Sequence, residues 1–290
     1  MNPCFESFLG NRELTDHLSA AISAGRYPHA AMFVGDDGCG RHTIARMTAA
    51  AYLGTEYDQV RRGACPDCIE VSGSGASGAI TVDSVRKAVS ESHLSSVGTD
   101  GKRAFIIIDA QNLNGSSASA LLKTLEEPVD GVVFILTARA RTDVKDTIAS
   151  RCQVFTLSPL DAGECCQEAE KRTGCSSEAA MEFSRFFGGR LGMVLAFLRD
   201  KELAAMYAAA RRCAEAAEKG SLYGMLLESS AYTSRSQAAA FWELVSESLA
   251  YDGMPQMHMA LERERRAVTA SNANIKLFST RISLMLASKR

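Results

Sequence analysis

The chain has 290 residues and a formal net charge of −2, with 46% hydrophobic and 23% charged residues. This length is enough for about two or three domains, and the balanced charge excludes a global basic field for tight nucleic-acid binding. No apolar stretch reaches the ~20 residues of a membrane helix, and the first residues lack a signal-peptide pattern. Nine cysteines without a small disulfide framework indicate a reducing compartment, so we expect a cytoplasmic protein with no membrane partner.

The hydrophobic pattern predicts helices alternating with buried strands in the first part of the chain. In chain order, the predicted elements are a helix at 10–24, a strand at 30–34, a helix through 44–53, a Ser- and Gly-rich loop at 72–78, a helix at 84–93, a strand at 104–108, a helix at 116–127 and strands at 132–137 and 154–157. Such alternation indicates an α/β fold with a mostly parallel sheet and helices on both faces. After Pro159 the pattern predicts helices only, as a small unit at 161–199 and a bundle at 201–290.

Residues 35–42 match the spacing of a phosphate-binding loop but lack two of its functional side chains. The pattern G-x-x-x-x-G-K-[ST] uses glycines to wrap backbone N–H groups around a phosphate, a lysine for the β- and γ-phosphates and a hydroxyl for Mg²⁺. Arg41 and His42 replace the lysine and the hydroxyl, and Thr43 carries a hydroxyl one position late. We interpret the loop as a structural turn in which ATP binding is weak or lost. Its candidate ligand-binding residues are Gly35, Gly38, Gly40, Arg41 and Thr43.

A second motif of nucleotide hydrolases is also incomplete. The predicted strand at 104–108 ends in Asp109, as a Walker B strand does, but Ala110 stands where many ATPases carry the glutamate that activates water. Asp109 is either a Mg²⁺ ligand or a strand-terminal carboxylate that caps a neighbouring helix. We favour the cap, because the hydroxyl that would share the metal is absent.

Four short motifs follow one another within the first 152 residues. They are G-R-Y-P-H-A at 25–30, D-A-Q-N-L-N at 109–114, A-S-A-L-L-K-T-L-E-E-P at 118–128 and T-I-A-S-R-C at 147–152. In this order they resemble the delta-prime family of bacterial DNA polymerase III clamp-loader subunits, which belongs to the AAA+ proteins. The resemblance is strong over about residues 5–160, weaker over 161–200 and compositional beyond.

The resemblance implies a fold, a domain organisation and a function. It implies an AAA+ core at 1–158 with a degenerate phosphate loop, a helical lid at 159–200 and an all-α collar domain at 201–290. It implies a subunit of the DNA polymerase III holoenzyme that is not catalytic alone and that assembles with the motor subunits and delta to load the sliding clamp onto primed DNA. Two alternatives stay open: an ATP-hydrolysing motor subunit of the same loader, and an AAA+ scaffold in another pathway.

The resemblance implies functional roles for three polar residues. Arg151, in the S-R-C motif, is implied to be an arginine finger that reaches the ATP of a neighbouring subunit; pairing with a local carboxylate such as Asp143 or Asp146 is the alternative. Thr137 matches the sensor 1 position and Arg190 lies near the sensor 2 position. Without a competent local ATP site, we expect Thr137 to be structural and Arg190 to be a solvated residue at a helix start.

Cys65 and Cys68 form a C-x-x-C pair where the family usually carries four zinc-binding cysteines. Structural zinc requires four ligands, and His93 or Cys39 would join the pair only through the fold. We interpret the pair as an incomplete zinc site, with a redox pair as a further alternative. The segment between Cys68 and Ile80 is shorter than in the family, so we expect a strand to be missing there.

Overall fold

The structure is a computed structural model that describes residues 2–74, 78–98, 101–269 and 275–288. Part of the predicted loop at 72–78, residues 75–77, lies outside the described residues. By internal contacts the chain divides into two compact units, residues 1–161 with 190–192 and residues 162–189 with 193–290.

The first unit alternates strands and helices as the hydrophobic pattern predicts. Its elements are α1 (Arg12–Ser23), β1 (Ala30–Val34), α2 (Arg41–Leu53), α3 (Tyr57–Arg61), β2 (Cys68–Val71), α4 (Val82–Ser92), β3 (Arg103–Ile107), α5 (Gly115–Glu126), β4 (Val132–Ala138), α6 (Asp146–Ala149) and β5 (Gln153–Thr156). The five strands form one parallel sheet in the order β2-β3-β4-β1-β5. Strand β1 lies between β4 and β5, and its carboxyl end is at a point where the strand order reverses, the usual place for a binding site in such sheets.

Alternate residues of the strands face two separate hydrophobic layers. In β1, Met32 packs with the layer formed by α4, α5 and α6, whereas Phe33 packs with the layer formed by α1, α2 and α3. Phe105 stacks on Phe134 in the first layer at a centroid distance of 5.2 Å. Phe33 stacks on Phe155 in the second layer at 5.5 Å. A parallel sheet buried on both faces explains why its strands appear as continuous apolar runs in the sequence.

The edge strand β2 corrects one expectation. The segment after Cys68 was expected to lack a strand, yet Cys68–Val71 pairs in parallel register with β3. This four-residue strand pairs with one neighbour only, and Glu70 within it accepts two hydrogen bonds from the Arg46 guanidinium. A short edge strand with a charged residue gives too weak a hydrophobic pattern for detection.

The described residues of the second unit form helices joined by turns, without a strand. The helices are α7 (Ala162–Thr173), α8 (Ser177–Phe186), α9 (Leu191–Arg199, whose first two residues belong to the first unit), α10 (Lys201–Glu218), α11 (Leu222–Ser229), α12 (Arg235–Tyr251), α13 (Pro255–Thr269) and α14 (Ile275–Ala287). Trp242 is fully buried and its indole N–H donates to Ser279 Oγ over 3.1 Å. The α/β class with a helical C-terminal region is therefore confirmed, whereas a separate lid at 159–200 and collar at 201–290 stay a prediction.

Among the described residues, no helix combines the length and the apolar character needed to cross a bilayer.

Candidate functional site

The carboxyl ends of three neighbouring strands bring the candidate residues together. Gly35 follows β1, Arg139 follows β4, and Asp109 lies two residues beyond the end of β3. Because these strands are parallel and adjacent, the loops after them meet at one edge of the sheet. The 35–42 loop lies at this edge and leads directly into α2.

The glycines of the loop satisfy the needs of the turn itself. Gly38 and Gly40 have φ angles of 90° and 91°, in the left-handed region that favours glycine. A Cβ atom on Gly40 would also lie 3.1 Å from the ring of Phe8, and one on Gly35 would lie 3.2 Å from Leu157. The glycine spacing is therefore explained by backbone geometry and packing, without reference to a bound phosphate.

Arg41, at the lysine position, is turned back onto its own loop. Its side chain is only 6% exposed. Nη1 donates to the carbonyl of Gly35 over 3.1 Å, and Nη2 donates to Asp37 Oδ1 over 2.6 Å and to Asp109 Oδ1 over 2.8 Å. Burial lowers the pKa of Arg41, but its bonds to Asp109 and Asp37 outweigh burial and hold the pKa above its ordinary value.

Two further side chains complete this ion-pair network. Arg139 Nη2 lies 2.9 Å from Asp37 Oδ2, so both oxygens of Asp37 are engaged by guanidinium groups. His42, at the hydroxyl position, places Nε2 3.2 Å from Asp109 Oδ1. We call Asp37, Arg41, His42, Asp109 and Arg139 the loop network.

Asp109 does not cap a helix, which corrects the interpretation favoured from the sequence. Its carboxylate bonds to Arg41 and His42, and no side-chain cap is formed on the short 3₁₀ turn that follows it. Its backbone is held at a φ of 56°, and its N–H donates to the hydroxyl of the fully buried Thr137 over 2.9 Å. Thr137, at the sensor 1 position, thus orients Asp109, consistent with the structural role we expected.

The charge of Asp109 should make the stability of the first unit depend on pH. Although burial raises it, the bonds from Arg41 and His42 hold the pKa of Asp109 below its ordinary value. As pH falls, the unfolded chain therefore binds a proton at Asp109 before the folded chain does. The stabilisation by the charged carboxylate is complete above about pH 4–5 and is lost as pH falls through the folded-state pKa. We expect Asp109→Asn to lower the free energy of unfolding at pH 7, with a difference from wild type that shrinks below about pH 4.

This pH dependence can be measured by chemical unfolding of both chains between pH 3 and pH 8. Asp143→Asn is the matched control, because Asp143 is exposed at the sheet edge. A difference between wild type and Asp109→Asn that stays constant down to pH 3 would contradict the role given to the Asp109 charge.

The side chains present do not fit Mg²⁺–ATP as the motif holds it. The cation at the lysine position is bonded to two carboxylates, and an imidazole bound to Asp109 replaces the metal-binding hydroxyl. Thr43 lies in the first turn of α2 and, within the described part of the chain, is not a member of the loop network. Asp36 and Asp37 add negative charge at the place where a triphosphate would require positive charge.

The segment around Arg190 meets the same loop, as part of the first compact unit. Gly192 N–H donates to the carbonyl of Gly38 over 2.9 Å, and a Cβ on Gly192 would lie 2.9 Å from Gly38 Cα. Burial raises the pKa of the Cys39 thiol and Arg190 partly offsets this, so the guanidinium acts near the loop. Arg190 stands directly before α9, at a helix start as expected, but it is half-buried and not fully solvated.

Arg151 lies apart from the loop network, after α6 and before the edge strand β5. Nη1 donates to the carbonyl of Thr147 over 2.7 Å, and Nη2 lies 2.5 Å from Glu126 Oε1 at the end of α5. The ion pair joins the S-R-C motif to the E-E-P motif, and replaces the pairing with Asp143 or Asp146 considered from the sequence. The Arg151 side chain is 35% exposed, so solvent reaches the guanidinium.

The C-x-x-C pair has a structural setting and an incomplete ligand set. Cys68 N–H donates to the carbonyl of Cys65 over 3.2 Å, which closes the turn into β2. Burial, with smaller contributions from Cys65 and Glu70, raises the pKa of the Cys68 thiol to about 12, whereas zinc binds thiolate. Across the described residues, no group of three or more His, Cys, Asp or Glu side chains is arranged to hold a metal ion. The donors present therefore do not fit a structural zinc.

Sequence reasoning did not find Asp37 and Arg139, the two residues that close the loop network. Asp37 falls at a variable position of the loop pattern, and Arg139 directly follows a strand with no motif of its own. The one available signal was the charge of Asp37 four residues before Arg41, a spacing at which opposite charges often pair on helices.

The five-stranded parallel sheet with helices on both faces and a helical C-terminal region defines a protein of the AAA+ fold class. A family model described as "DNA polymerase III, delta subunit" matches residues 10–161, more than half of the chain. The chain belongs to this family of clamp-loader proteins, in which delta prime is a close relative.

Individual relatives are similar over the same part of the chain. DNA polymerase III subunit gamma from Buchnera aphidicola (Acyrthosiphon pisum symbiont) is 30% identical over 165 residues, covering 53% of this chain and 45% of the relative. Subunit tau from Escherichia coli is 30% identical over 165 residues, covering 54% and 26%. The chain thus spans less than half the length of these curated relatives.

Similarity to a solved structure extends over nearly the whole chain. A DNA polymerase III gamma subunit-related protein from Thermotoga maritima superposes with a TM-score of 0.57 at 15% identity, covering 94% of this chain and 98% of that one. At this level of identity, the similarity shows the fold alone.

Proposed function

We propose that this protein is a delta-prime-type subunit of a DNA polymerase III clamp loader that does not hydrolyse ATP itself. In this proposal it offers Arg151 to the ATP site of a neighbouring motor subunit. Its partners are the motor subunits and delta, and through the assembly the sliding clamp and primed DNA. Residues 159–200 serve as a lid and residues 201–290 as a collar domain that joins the subunits into a ring.

The loop network carries the first half of the proposal. Arg41, which stands at the lysine position of the motif, is bonded to Asp37, Asp109 and the Gly35 carbonyl. Its guanidinium is therefore occupied by groups of the chain itself and is not available to a nucleotide phosphate. Ala110 provides no carboxylate to activate water. Hydrolysis of a phosphoanhydride depends on electrostatic stabilisation and a positioned nucleophile, and this loop supplies neither.

The position of Arg151 supports the second half. A finger that acts in trans must reach beyond its own subunit, and the Arg151 guanidinium is partly exposed with a surface ion pair to Glu126. Exposed ion pairs are weak, so an incoming phosphate could displace Glu126 at small cost. The guanidinium geometry is suited to bidentate contact with phosphate oxygens.

An ATP-hydrolysing motor subunit of the same loader is a second candidate. It is favoured by one observation: several matched relatives are named subunits gamma and tau, at 28–30% identity. The two candidates differ in what the isolated chain does with ATP, so a single assay separates them.

We expect the isolated chain to release no phosphate from Mg²⁺–ATP above background, with or without primed DNA. A motor subunit would turn over at about 1 s⁻¹ or more, the lower end of typical enzyme rates. The measurement is continuous phosphate release from the purified full chain. The matched control is Arg41→Lys/His42→Thr, which restores the two motif side chains and shows whether their loss accounts for the inactivity. Turnover by wild type at the motor rate would exclude the non-hydrolysing role.

A further inference from the structure

The carboxylate of Asp37 lies between two guanidinium groups, as a bound anion would. Its Oδ1 accepts from Arg41 Nη2 over 2.6 Å, and its Oδ2 lies 2.9 Å from Arg139 Nη2. The first cation occupies the lysine position of the loop and the second directly follows β4, the strand next to β1. The lysine of a competent loop reaches the β- and γ-phosphates of the nucleotide, so Arg41 stands at a phosphate-binding position of the motif. A carboxylate between two guanidinium groups satisfies the same donors that would otherwise bind phosphate oxygens.

A second observation indicates that the arginine is not fully satisfied by the chain. Arg41 is nearly buried, yet its Nε is a buried nitrogen without a hydrogen-bond partner among the described residues. Buried donors are usually paired, so an orphaned N–H on a buried guanidinium indicates a position at which an acceptor is missing. An external oxyanion has more acceptor oxygens than one aspartate and can satisfy this N–H as well.

The site is also within reach of solvent. The side chain of Asp37 is 36% exposed and that of Arg139 is 56% exposed, so an anion could replace the aspartate without opening the core. Arg190 contributes positive charge near the loop, through its effect on Cys39. Without the charge of Asp37, Arg41 would keep its ion pair with Asp109, whereas Arg139 would lose its ion pair with Asp37 Oδ2.

We propose that Asp37 is an internal ligand that occupies a latent polyphosphate site formed by Arg41 and Arg139. The aspartate keeps the site closed to phosphate-bearing molecules and holds the loop in a fixed conformation without a nucleotide. This inference rests on the proposed loss of ATP function at this loop, and it names the residue responsible for the exclusion.

The test measures anion binding to the isolated full chain by isothermal titration calorimetry. The probes are sodium tripolyphosphate and metal-free ATP, and the variants are Asp37→Ala and the near-isosteric Asp37→Asn. We expect no binding of either probe to wild type at millimolar concentration. Both variants should gain affinity by about tenfold to a hundredfold, as expected for one or two newly available charge-assisted hydrogen bonds. Adding Arg139→Ala to Asp37→Ala should abolish the gain.

Asp36→Ala is the matched control, because it removes the same charge one residue away. Asp36 is exposed and, in the described residues, forms no ion pair with Arg41 or Arg139. An equal gain in Asp36→Ala would overturn the proposal, since a general change of field would then account for the binding. Absence of a gain in Asp37→Asn that keeps the wild-type circular dichroism spectrum would overturn it too. Tight ATP binding by wild type would overturn both this inference and the proposed loss of ATP binding at the 35–42 loop. Failure of the Asp37 variants to gain affinity would overturn this inference alone and would leave the proposed role of Arg151 intact.

Discussion

In a clamp loader reconstituted with its cognate subunits, Arg151→Ala should reduce ATP hydrolysis at the site that Arg151 serves by about 10³-fold or more. An arginine finger stabilises the charge that develops on the transferred phosphoryl group, and alanine offers no substitute for it. The total rate of the ring should fall less, because the other ATP sites continue to turn over. DNA-stimulated phosphate release, with ring assembly checked by size-exclusion chromatography, is the measurement.

Three variants make the Arg151 result specific. Arg141→Ala removes an exposed arginine nearby, which lies 3.5 Å from Asp146 in an exposed ion pair, and should leave the rate unchanged. Glu126→Gln releases Arg151 from its ion pair and should preserve activity, because the guanidinium remains available. Arg151→Lys should recover only part of the rate, since lysine lacks the planar fork of donors. An unchanged rate for Arg151→Ala in an intact ring would exclude the finger and leave this protein a scaffold.

The second large effect concerns stability. Arg41→Ala should lower the free energy of unfolding of the first unit by about 3 kcal/mol, at the lower end of the range for breaking a buried ion pair. The substitution leaves Asp37 and Asp109 without the cation between them. The loss is not larger because these carboxylates keep 36% and 27% exposure and regain water.

The choice of probe matters for this measurement. The single tryptophan, Trp242, belongs to the second compact unit, so its fluorescence does not report on the first. Hydrogen exchange of the β1 and β4 amides under increasing denaturant follows the first unit directly. Arg46→Ala, on the same helix, removes a guanidinium whose ion pair with Glu70 is more exposed, and should cost about 1 kcal/mol or less. Equal losses in the two variants would contradict a special role for the buried arginine.

Sequence alone was sufficient for the parts of this protein that depend on local pattern. The apolar runs at 30–34, 104–108 and 132–137 correspond to β1, β3 and β4 within one residue, because a strand buried on both faces must be apolar throughout. The edge strand β2 escaped detection, because a strand that pairs on one side tolerates a charge such as Glu70. The replacement of the lysine and the hydroxyl of the loop motif by Arg41 and His42 was also visible in the sequence.

What the sequence by itself determined was the fold class, the family resemblance and the identity of the altered motif residues. Only the tertiary structure decided what those residues do. Arg41 meets Asp109 across 68 positions of the chain, and Arg139 meets Asp37 across 102. Arg151 pairs with Glu126, although closer carboxylates were available in the sequence. The physical reason is that a charged side chain selects its partner by distance and burial in the folded chain. These depend on the order of the strands, which no local pattern encodes.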